Sequence, residues 1–155
     1  MLRKLENAEQ KWGGANKLID QWLSSRRSLL VNYFQVAGFP PYDTDEKSLP
    51  PFESVKTFCN LLVDYVSEGH FEVYDQVVTA CEKQGESGQT LARELLPKIS
   101  SSTDFVLDFS DKYTSASSDN ILLELDDDLS QLGSSIENRF AYEDELLEVL
   151  HNYYS

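Results

Sequence analysis

The side chains that could carry covalent or metal chemistry are few: two histidines, His70 and His151, and two cysteines, Cys59 and Cys81. A metal centre built between helices needs carboxylates and histidines converging from facing segments, typically with a Glu-x-x-His pair on each of two helices. One such spacing occurs, Glu148 to His151, and it has no second copy. No GxSxG, P-loop, HExxH, GxGxxG or paired-cysteine pattern is present. The acidic runs Asp126-Asp127-Asp128 and Glu143-Asp144-Glu145 are, apart from Glu143, of the kind that solvated helix faces carry. The chain is therefore expected to work without catalysis.

The elements that would position any such residues are helices. Apolar residues recur at i, i+3 and i+4 almost throughout, and breakers are few. A short first segment, 2–12, runs into Gly13-Gly14. Residues 15–37 carry Leu18, Ile19, Trp22, Leu23, Leu29, Leu30, Tyr33 and Phe34 on one stripe, and Gly38 follows as a stop. The stretch 38–51 holds four of the five prolines and is expected to be a loop. From Pro50-Pro51 a helix is expected to run to about Lys83, ended by the sequence around Gly85 and Gly88. A third long helix, 89–116, contains Pro97, whose missing N–H should kink it. Asp119 is placed to cap a last helix, 120–153, with Leu122, Leu125, Leu129, Leu132, Ile136, Leu146 and Leu150 on its seam. The expected fold is all-α: one domain, an antiparallel four-helix bundle with a short N-terminal helical segment.

At 155 residues the chain is long enough to bury a core without staples. On one long helix, Cys59 and Cys81 would stand about 33 Å apart, beyond any disulfide. They are expected to be reduced core thiols. The opening residues lack the apolar core of a signal peptide, and no apolar run is long enough to span a membrane. A soluble cytoplasmic protein is expected.

The charge points to the class of partner. Twenty-seven acidic residues against thirteen Lys and Arg leave a formal −14, which disfavours nucleic acid and anionic membranes and favours a basic protein surface. The imbalance is uneven. Residues 1–37 hold six basic and three acidic residues, a net of +3, and residues 104–155 hold thirteen acids against Lys112 and Arg139, a net of −11.

Two places break the core pattern. The seam of the last helix continues onto Arg139 and Glu143, an i,i+4 pair where apolar residues should stand. Arg26 takes the stripe position between Leu23 and Leu30, Asp20 lies a turn and a half earlier, and His70 lies at a stripe edge. A buried polar cluster of Asp20, Arg26, His70, Arg139 and Glu143 would have to satisfy itself. It is either a metal or ligand site or a network fixing helix register, and nearby arginine opposes a cation.

The second break is outward. On the helical wheel Val55, Cys59, Leu62, Val66, Val73 and Val77 share an arc of roughly 60°. Asp64, Ser67, Glu68, Phe71 and Asp75 fall on the other side, with Phe71 roughly 150° from the stripe centre. An aromatic ring collared by carboxylates is either covered by segment 2–12 through Leu2 and Leu5 or is an anchor for a basic partner.

The strings WGGxxxLIDxWL (12–23), FCxxLVDYVSxGHFEVY (58–74) and RFxxEDxL (139–146) resemble the regulator of sigma D family, Rsd/AlgQ, over nearly the whole chain. The resemblance implies a non-enzymatic anti-sigma factor with a four-helix fold and no cofactor. It would bind the C-terminal domain of the primary sigma factor of RNA polymerase, the domain that reads the −35 promoter element, and favour alternative sigma factors in stationary phase or stress. Within the central string the positions matching sigma-contacting residues are Asp64, Ser67 and Phe71. Trp22, Arg26 and Leu30 on the preceding helix are expected to extend that surface.

Overall fold

The computed structural model describes residues 2–14, 16–38, 51–68, 74–115 and 119–154. Among these residues every regular element is helical, which agrees with the all-α expectation. The order is α1 (Leu2–Trp12), α2 (Lys17–Ala37), α3 (Phe52–Glu68), α4 (Tyr74–Lys83), α5 (Glu86–Thr114), a 3-10 turn (Asp119–Glu124) and α6 (Leu125–Tyr154).

The boundaries follow local chemistry. Asn16 opens α2 by accepting hydrogen bonds from the Leu18 and Ile19 amides, and Gly38 closes it in a left-handed cap. α5 runs from Glu86 to Thr114 as one helix with Pro97 inside it. The expected cap at Asp119 is instead the start of the 3-10 turn, and α6 begins at Leu125.

The stretch read as one helix from 50 to 83 is two helices among the described residues. α3 packs on α2 and α5, whereas α4 packs on α5 and α6. The described residues thus form six α-helices: the short first segment, α2, α3 and α4 where one long helix was expected, α5 and α6. Gly69, a poor helix former, stands in the sequence between the two halves. Periodicity alone does not see that division, because the apolar spacing continues across it.

The core is continuous through these helices. Ile19, Leu29, Phe58, Leu62, Ile99, Leu132 and Leu146 are buried. Aromatic rings tie its layers together: Phe58 lies 6.0 Å from Tyr33 and 6.3 Å from Phe109, edge-on to the latter. Gly133 marks a close approach. A Cβ there would stand 2.3 Å from the Tyr33 hydroxyl, which is fixed by donating to the Leu129 carbonyl at 2.9 Å. Cys59 and Cys81 are free and buried on separate helices. Burial pushes the Cys59 thiol up to about 11, although Ser110 opposes the shift. No helix among the described residues is long and apolar enough to cross a membrane.

Candidate functional site

α3 has two distinct sides. Val55, Phe58, Cys59, Leu62, Tyr65 and Val66 are buried, while Asp64 is exposed and Ser67 half-buried. Asp75 is exposed too, but on α4. His70 and Phe71 lie outside the described residues, as does the side chain of Glu68. The structure therefore brings Asp64 and Ser67 onto one helix and puts Asp75 on the next.

Behind α3 sits a buried ionic network. Arg26 from α2 donates through Nη2 to Glu143 Oε1 at 3.2 Å and through Nη1 to Asp144 Oδ1 at 2.6 Å. Arg139 donates through Nε to Glu143 Oε2 at 3.0 Å, one turn away on α6. Its Nη1 also reaches Thr103 Oγ1 at 2.7 Å, Ser102 Oγ at 3.0 Å and the Ile99 carbonyl at 3.3 Å, all on α5. Tyr65 completes the figure. Its hydroxyl donates to Glu143 Oε1 at 2.5 Å and accepts from Trp22 Nε1 at 3.0 Å. Three helices, α2, α3 and α6, thus meet on the Glu143 carboxylate, and Arg139 ties in α5.

The charges explain why it can be buried. Two arginines face two carboxylates, and Glu143 itself is 0% exposed. Unpaired, any of these ions would be costly; here the charged groups have partners. Burial works against the charge on Arg26, but Tyr65, Glu143 and Asp144 outweigh it and hold its pKa above the ordinary value. Burial and then Glu143 push the Tyr65 hydroxyl up. Asp144, at the outer end, is raised by burial and partly restored by Arg26. A pocket of about 60 Å³ between α1, α2 and α6 opens there, with Arg26 and Asp144 in its wall.

Several sequence expectations change. Asp20 is exposed in the first turn of α2, where it accepts from the Gly14 amide at 2.7 Å, and so stands outside the cluster. Both Glu143 oxygens are taken by protein donors, which leaves a cation little to bind. Among the described residues no group of three His, Cys, Asp or Glu side chains could hold a metal. Trp22, Arg26 and Leu30, expected to extend a partner surface, are 3%, 2% and 1% exposed. Trp22 and Arg26 reach Tyr65 and Leu30 enters the core, so the apolar stripe of α2 is a packing face. Segment 2–12 packs on α2 and α6 through Leu5, Ala8 and Trp12.

Sequence reasoning missed Tyr65, Asp144, Ser102 and Thr103 as members of the network. A tyrosine inside an otherwise aliphatic stripe was the available signal for Tyr65, since a buried hydroxyl needs a partner.

The sequence profile of a family described as regulator of the RNA polymerase sigma(70) subunit, Rsd/AlgQ, matches residues 1–151. Proteins called regulator of sigma D are similar along nearly the whole chain. That of Yersinia pseudotuberculosis is 37% identical over 157 residues, covering 96% of this chain and 88% of the relative. That of Yersinia enterocolitica is 36% identical over 156 residues, covering 96% and 89%. That of an Enterobacter species is 35% identical over 148 residues, covering 95% and 88%.

Proposed function

The chain belongs to the Rsd/AlgQ family of regulators of the RNA polymerase sigma(70) subunit, and from that premise we propose that it is an anti-sigma factor. In this reading it grips the primary sigma factor by the C-terminal domain that reads the −35 element. It acts in the cytoplasm and frees core polymerase for alternative sigma factors in stationary phase or stress.

The observation that carries the reading is the outward side of α3. Asp64 is exposed there, next to half-buried Ser67, on a chain of net charge −14. A domain that binds DNA presents Arg and Lys to phosphates, so an acidic helix face competes for the same groups. In this reading Phe71 supplies the apolar anchor, and Asp64, Glu68 and Asp75 pair arginines around it.

Passage of the primary sigma factor's isolated C-terminal domain over the immobilised full-length protein tests the proposal. Retention that weakens with added salt is expected. A sigma domain that flows through freely, with the protein verified as folded, rules the reading out.

A further inference from the structure

α1 is bound to the rest of the fold as a ligand is bound to a receptor. It packs chiefly on α2 and α6, through the buried side chains Leu5, Ala8 and Trp12. Its polar contacts lie at the rim of that groove. Lys4 pairs with Glu137 at 3.0 Å, Lys11 pairs with Glu148 at 3.3 Å, and Trp12 Nε1 donates to the same Glu148. Glu9 pairs with Arg27 of α2. The helix itself carries three basic and two acidic residues, in a chain of net charge −14. A cationic amphipathic helix is thus the ligand this groove selects.

Buried Leu5, Ala8 and Trp12 hold α1 in the groove, and its polar attachment is light. Eleven residues are too few to hold a helix in water without the groove. The ion pairs at its rim are exposed and screened, which makes each of them weak. The start of α2 does not need α1, because Asn16 caps it from within. Gly14 sits at φ +88, a conformation that other residues rarely adopt, so the chain turns sharply just after α1 ends.

We propose that α1 undocks as a unit and that the vacated α2–α6 groove takes the α1 of a second copy, giving a helix-exchanged dimer. The contacts made in trans are those made in cis, so concentration decides between the two forms. Salt, which screens the rim pairs, speeds the exchange.

Zero-length carbodiimide coupling on the full chain tests this, because Lys4 and Glu137 are both exposed and already in contact. Equal amounts of 14N- and 15N-labelled protein are mixed, concentrated in high salt, separated by size and coupled. The Lys4–Glu137 link is then read by mass spectrometry, and the Lys112–Asp128 pair, at 2.7 Å within the α5–α6 region, serves as the reference. In the dimer fraction about half of the Lys4–Glu137 links are expected to join a light to a heavy chain, with Lys112–Asp128 links staying within one isotope. Like-isotope links alone at Lys4–Glu137, equal mixing at both pairs, or the lack of any dimer fraction would each overturn the proposal.

Discussion

The Tyr65 hydroxyl donates to Glu143 Oε1 at 2.5 Å, and this bond joins α3, which carries Asp64 on its other side, to the middle of α6. It has consequences for stability that differ sharply between the two residues.

Glu143→Ala leaves two buried guanidinium groups facing each other with their shared carboxylate gone. The expected loss is about 3–5 kcal/mol, the usual cost of breaking one partner out of a buried ionic set. Tyr65→Phe removes the hydroxyl that serves Trp22 Nε1, Arg26 Nε and one Glu143 oxygen, and should cost about 1–3 kcal/mol. Urea titrations of the two variants check the order; equal losses would mean that the ionic part contributes nothing special.

Leu30→Ala separates core from contact surface. With Leu30 buried, the substitution should lower stability by about 2–5 kcal/mol. Affinity for the sigma domain, measured where the variant is still folded, should not change. A large drop in affinity at full stability would return Leu30 to the interface.

Acid should loosen the α5–α6 region first through Asp128. Partial burial pushes this carboxylate up, but hydrogen bonds from Lys112 and Tyr113 more than offset that and hold it below the ordinary value. A depressed native pKa means that its stabilisation is present above the unfolded value, near 3.8, and lost as pH falls through the native one. Asp128→Asn should therefore be less stable than the wild type at neutral pH, with the gap closing as pH falls below about 4. A gap constant down to the lowest pH would show that the ionised form is not the source.

The cysteines give a simple check on packing. With the Cys59 thiol raised to about 11 and both side chains buried, alkylation at pH 8 should be slow in the native protein. Both should react at once in denaturant. Rapid native labelling of Cys59 would show that α3 opens.

Much of this was legible in the sequence, and the reasons are physical. The 3.6-residue apolar period marks α2, α5 and α6 because each buries one stripe along most of its length. Arg26, Arg139 and Glu143 stood out as charges on apolar positions, and all three are buried together. Asp20 misled because it is near the stripe along the sequence but well away from it around the helix; it accepts from the Gly14 amide. Asp144 escaped notice because it looked like one more solvated acid in an acidic run, whereas Arg26 draws it in from a helix 118 residues away. The division between α3 and α4 was illegible because Val66 and Val77 keep one spacing although their helices take different neighbours.

One titration tests the outward face of α3 directly. Calorimetric or fluorescence titration of the isolated C-terminal sigma domain is made with wild type, Asp64→Lys and Phe71→Ala, each shown to be folded. Phe71→Ala should weaken binding by about 2–4 kcal/mol, and Asp64→Lys should slow association and flatten its salt dependence. Unchanged affinity in both variants, with tight wild-type binding, would place the sigma domain on some other surface and contradict the account.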